Sequence, residues 1–166
     1  MTPMSGPDTT SDRQIVITRV FNAPRGIVFQ AFTDPKHVDH WYGPRGFKTE
    51  TTDMDVRPGG AWNYVMRHQQ YGEFKNRIVY RKVVRPERLE YTHDSGVDGD
   101  PSAFEVTIVF EDLGRETKVT MRSVFSSVAE LERVKGFGAV EGGQQTLERL
   151  AEWLAAGHAS AAPSPA

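Results

Sequence analysis

Apolar and polar positions change their period twice along this chain, and those changes mark its elements. Ile15, Ile17 and Val20 make Gln14 to Phe21 a β-rich opening run. Pro24 then stands where a first-turn proline is tolerated, and Val28, Phe29 and Phe32 recur at helical spacing. Asp34-Pro35 repeats the start signal, an N-cap acid followed by proline. It opens a second short helix that carries Val38 and Trp41 and stops at Gly43-Pro44.

From Gly46 the period becomes two. Gly46 to Arg57 reads as a strand, Pro58-Gly59-Gly60 as a turn, and Ala61 to His68 alternates with Trp62, Tyr64, Met66 and His68 on one face. Glu73 to Val84 shares Phe74, Ile78 and Tyr80 on a face, and the Arg85-Pro86-Glu87 corner leads to Leu89, Tyr91 and His93. Phe104, Val106, Ile108 and Phe110 form another face, Asp112 to Gly114 turns the chain, and Val119, Met121 and Phe125 close the set. Hairpin-length connections predict an antiparallel meander, since parallel crossovers need a dozen or more residues.

The period then returns to that of a helix. Ser127 to Val134 predicts a short helical turn, and Val140, Gln144, Leu147, Ala151 and Leu154 predict a long amphipathic helix flanked by Leu150 and Trp153. The expectation is an α+β fold, a curved antiparallel sheet of six or seven strands around a long C-terminal helix, with two short helices after the first strand. A curled sheet and a straight helix do not fill all the space between them, which predicts a pocket. Residues 1–12 and 157–166, rich in Ser, Thr, Pro, Gly and Ala, read as disordered tails around a single domain over 13–156.

Composition narrows the function classes. Lys plus Arg is 20 and Asp plus Glu is 22, a net charge of -2 that offers no attraction to nucleic acid or an anionic membrane. The absence of cysteine excludes disulfides, thiolate metal sites and thiol nucleophiles. With no apolar signal core and no run long enough to span a bilayer, the expected location is cytoplasmic. No nucleophile elbow, phosphate loop or dinucleotide fingerprint occurs, so no cofactor is expected.

The Trp62, Tyr64, Met66, His68 stripe is the main candidate pocket wall, because Trp and Tyr combine apolar bulk with a polar atom that orients a ligand. Ordinary core packing is the alternative. The other inward faces add Phe74, Tyr80, Tyr91, His93, Phe110, Met121 and Phe125, and the helices add Trp41, Val140, Glu141 and Gln144. Gly142-Gly143 costs helix stability, which points to close approach of another backbone or to space for a ligand. Asp55 and Arg57 beside Gly59-Gly60 read as a turn-fixing pair. His68, His93 and Glu141 are the weak candidates for acid–base catalysis. His37, His40 and His158 are expected at the surface, and no residue set suggests a metal site.

Seven stretches in register then carry a resemblance: Ala23-Pro24-Arg25, Phe32 to Pro35, Trp41 to Pro44, Asp55 to Gly60, Pro86 to Leu89, Phe110 to Asp112 and Val140 to Gly143. The chain resembles the activator of heat-shock protein 90 ATPase homologue family, C-terminal-like branch, within the START-like (SRPBCC) superfamily. The resemblance implies a helix-grip (START-like, Bet v 1-like) fold over a cavity, and no particular reaction. The sequence departs from the family pattern at Lys82, where many relatives carry Glu, and at Gly143-Gln144, where an aromatic is common; both changes are expected to alter pocket polarity. Three readings stay open: binding of a small hydrophobic or amphipathic molecule, a co-chaperone-like module for heat-shock protein 90, and a cyclase- or aromatase-type enzyme. A homodimer, paired through an edge strand or the Trp41-Tyr42 corner, is a further expectation.

Overall fold

The structure is a computed structural model and describes residues 11–157. The expected tails lie almost wholly outside these residues, as does His158. After a 3-10 turn at Ser11–Arg13, the order is β1 (Gln14–Phe21), α1 (Arg25–Thr33), α2 (Pro35–Trp41), β2 (Phe47–Met54), β3 (Ala61–His68) and β4 (Gly72–Val84). There follow β5 (Arg88–Asp94), β6 (Phe104–Asp112), β7 (Thr117–Val124), α3 (Val128–Gly136) and α4 (Ala139–Ala155). The strands form one antiparallel sheet in the order β1-β7-β6-β5-β4-β3-β2, a meander closed by the first strand. With α4 across its concave face, this is the helix-grip fold.

Local chemistry sets the ends of the helices. Asp34 caps α2, its carboxylate accepting from the Lys36 amide at 2.9 Å, and Ser127 caps α3 by accepting from the Glu130 amide at 3.0 Å. The segment Asp55 to Gly60 is a loop between β2 and β3, not the end of a strand. A Cβ on Gly60 would lie 2.2 Å from the Asp55 carbonyl oxygen, so only glycine fits there. The exposed Asp55–Arg57 pair closes the same turn at 2.7 Å.

The concave face divides into two halves. At one end Trp62, Ile78, Tyr80, Leu89, Ile108, Phe110 and Val119 are buried under α1, α2 and the carboxyl half of α4. Phe110 meets Phe29 and Phe32 edge-on with ring centroids 5.0 and 5.1 Å apart, and Trp41 donates its indole N–H to the Ala31 carbonyl at 3.0 Å. Leu147 and Leu150 complete this solid core. The other half of the face, toward Met66, Asn76, His93, Phe104 and Ser123, lies under the amino half of α4 and is not filled. Leu150 is fully buried, so Leu150→Ala is expected to cost about 3 kcal/mol, read from the urea unfolding midpoint at constant m-value.

Candidate ligand-binding pocket

Small residues on α4 keep the second half of the face open. The helix turns Ala139, Gly142, Gly143 and Thr146 inward, a run of i, i+3, i+4, i+7 positions without bulk. Below them is a pocket of about 400 Å³, open to solvent on one side. Its apolar wall includes Pro44, Phe47, Met66, Phe104, Val106 and Met121, and Phe137, 80% exposed, stands at its mouth between α3 and α4. A Cβ on Gly143 would fall 2.4 Å from Ile17 Cδ1, and one on Gly142 would lie 3.5 Å from Pro44 Cγ. Gly143 therefore admits a side chain from β1, not a second backbone, whereas a Cβ on Gly142 would meet Pro44 only at ordinary contact distance.

The pocket holds a cluster of polar groups. The Tyr42, Tyr64 and Tyr91 hydroxyls are gathered into one group, each close enough to act on the ionisation of the others. His93 Nε2 lies 2.9 Å from Asn76 Oδ1 and 3.2 Å from the Tyr64 hydroxyl. Asn76 donates its amide to the Phe74 carbonyl at 3.1 Å, which leaves Oδ1 as the acceptor and puts the His93 proton on Nε2. Burial raises the pKa of all three phenols, so each is protonated at neutral pH. Burial also holds His93 down to about 4 against a usual 6.5, with Asp94 and Asp100 opposing it. At the edge of this end of the sheet Arg77 grips Asp94 through two 2.9 Å bonds.

The α2–β2 loop forms the pocket's lip, and α4 holds it from both sides. Arg149 Nη1 donates to the carbonyls of Gly43 at 2.9 Å and Phe47 at 3.2 Å, and Nη2 to that of His40 at 3.2 Å. Its burial, with Arg45 nearby, lowers the Arg149 pKa. Arg45, on the loop itself, pairs with Glu148 and Glu152 at 3.3 and 2.6 Å.

Of the residues singled out in the sequence, Tyr64, Met66, Tyr91, His93 and Met121 come together at the pocket. The others lie elsewhere. Trp41, Trp62, Tyr80 and Phe110 are core side chains, and Trp62 donates to the Thr51 hydroxyl at 3.1 Å. His68 lies beyond the pocket at the β3–β4 turn, where Nδ1 accepts from the amides of Gln70 and Tyr71, and Phe74 is half-exposed. Phe125 packs on Phe104. Val140 and Gln144 line a separate groove against β1, and Glu141 is exposed, because α4 is rotated to turn its smallest residues inward. Lys82 is also exposed, so its departure from the family pattern does not touch the pocket. His37 is buried, not at the surface, and accepts from the Trp153 indole at 3.1 Å; His40 stacks on the same indole. Among the described residues no three His, Cys, Asp or Glu side chains are grouped to hold a metal ion.

Several pocket residues escaped the sequence reading. Asn76 and Ser123 stood on inward-facing strand positions, where a polar residue between apolar ones was the available signal. Tyr42, Phe47 and Phe137 belong to loops or strand ends without a period to reveal them.

The family described as Activator of Hsp90 ATPase homolog 1-like protein matches residues 22–155. The chain belongs to this family. Members of the same fold include a protein from Mycobacterium smegmatis, 21% identical with a TM-score of 0.81, covering 93% of this chain and 99% of its own. A protein from Chromobacterium violaceum is 25% identical with a TM-score of 0.73, covering 84% of this chain and 96% of its own. One from Nitrosomonas europaea is 20% identical with a TM-score of 0.78, covering 90% and 98%. No curated protein matches the chain. Among the described residues of this family member, no helix is long and apolar enough to cross a membrane.

Between pH 6.5 and about 4 the unfolded chain binds a proton at His93 that the folded chain does not, so stability falls as pH drops through that window, by up to about 3 kcal/mol. His93→Gln should flatten that part of the curve in urea titrations at stepped pH. Arg149→Met should cost about 2 kcal/mol by leaving loop carbonyls unpaired. It should also speed hydrogen exchange at the Phe47 amide, which bonds to the Pro44 carbonyl at 3.1 Å.

Proposed function

We propose that this family member binds a small hydrophobic or amphipathic molecule in the pocket between the sheet and the amino half of α4. The observation that carries this reading is the pairing of an apolar wall with a confined polar cluster, Tyr42, Tyr64, Tyr91, His93 and Asn76. Sites for small molecules combine these two features, and about 400 Å³ falls within their usual size range. A catalytic role has less support: His93 lacks a carboxylate partner among its hydrogen bonds, and Glu141 and His68 lie away from the cluster.

Titration with the uncharged dye Nile red tests the reading. Emission should rise and shift to the blue on binding to the wild-type chain. Gly142→Leu, which adds a helix-favouring side chain at the pocket wall, should weaken binding at least about tenfold while thermal melting stays cooperative. Equal binding by a folded Gly142→Leu protein would place the dye elsewhere and end the proposal.

A further inference from the structure

The polar cluster has a surplus of donors. His93 Nε2–H is directed to Asn76 Oδ1, because the other atom of that amide is already donating to Phe74. The Tyr64 hydroxyl therefore cannot donate to Nε2. Three phenol O–H groups remain, gathered around Tyr42, and hydroxyls strung through it can spend at most two of their protons on one another. At least one O–H is therefore left without an acceptor among the three phenols. Thr146 donates its own hydroxyl to the Gly142 carbonyl at 2.9 Å, so its proton does not enter this count.

Charge is arranged as tellingly. Among the described residues no Lys, Arg, Asp or Glu lines the pocket. The nearby charges are matched outside it: Arg77 with Asp94 and Asp98, and Arg45 with Glu148 and Glu152. Arg149 directs its guanidinium to loop carbonyls. His93 stays neutral at pH 7 under the burial described above. A carboxylate, phosphate or ammonium group entering this pocket would lose its hydration without gaining an opposite charge.

We infer that the pocket selects an uncharged, mainly apolar molecule that presents a hydrogen-bond acceptor, such as a ketone or quinone carbonyl, to the Tyr42–Tyr64–Tyr91 hydroxyls. This rests on the binding reading above and adds the chemical class of the ligand. The aromatic walls make a flat ring system the suitable probe body.

The test compares three probes that share one ring body, each displacing Nile red from the wild-type chain: 2-acetonaphthone, 2-ethylnaphthalene and 2-naphthoate. The ketone should bind about fivefold more tightly than the ethyl compound, the usual size of one hydrogen bond, and the carboxylate at least about tenfold more weakly than the ketone. The bound ketone's carbonyl stretch should move to lower frequency than in hexane. In the variant Tyr42→Phe, Tyr64→Phe and Tyr91→Phe together, the ketone-to-ethyl ratio should fall to about one and the stretch should return toward its hexane position. That variant removes the three hydroxyls together, so none of the phenols is left facing a lost partner, a change that stability tolerates better than removing one. Should it fail to fold, the affinity order and the carbonyl frequency on the wild-type chain still decide the matter. Ketone and ethyl compound binding alike, an unshifted carbonyl, or naphthoate binding best would overturn the selection while leaving the pocket as a binding site. Failure of Nile red and all three probes to bind would instead remove the binding reading itself.

Discussion

The whole arrangement depends on how α4 docks onto the curved sheet. A straight helix cannot follow a sheet that curls away from it, so contact is close over only part of its length. Here the close part is the carboxyl half, where Leu147 and Leu150 enter the core beside Phe110 and Val119. The amino half presents Ala139, Gly142, Gly143 and Thr146, whose combined bulk cannot reach the sheet floor. The pocket is thus a consequence of where side-chain volume falls along one helix, and the leucine half supplies the stability that lets the glycine half stand off.

Holding the lip of such an opening requires polar anchors, because a loop over a void lacks a core of its own. The α2–β2 loop is tied to α4 by Arg149, which donates to the carbonyls of Gly43 and Phe47, and by Arg45 reaching back to Glu148 and Glu152. The first tie is partly buried and costly to lose; the second is exposed and contributes less. Tyr42 and Phe47 are brought to the pocket by these ties. The hydroxyl cluster gathers around Tyr42, so the loop anchors govern the pocket's chemistry as well as its shape.

Much of the architecture was legible in the pattern of residues. The period-two faces of Trp62 to His68, Leu89 to His93 and Phe104 to Phe110 placed β3, β5 and β6, the capping signal at Asp34 placed α2, and the helical turn expected from Ser127 to Val134 is α3. Alternation put Tyr64, Met66, Tyr91, His93 and Met121 on the inward face, and they do line the pocket. The same alternation could not separate them from Trp62, Tyr80 and Phe110, which share that face and are packed solid under α1 and α2. Period states which side of a sheet a residue occupies, not what covers it.

The amino-acid order alone determined the α+β class, the strand count within one, and the family, because those follow from local periodicity, turn chemistry and motif register. The rotation of α4 was decided only on docking. The apolar stripe suggested Val140 and Gln144 as the inward pair, yet the helix turns its small residues to the sheet, and Ile17 Cδ1 fills the space that a Cβ on Gly143 would take. Likewise the link from Asn76 through His93 to the tyrosine cluster joins residues from three strands and a loop. Their meeting is a property of strand register and loop path in three dimensions, which a one-dimensional pattern does not encode.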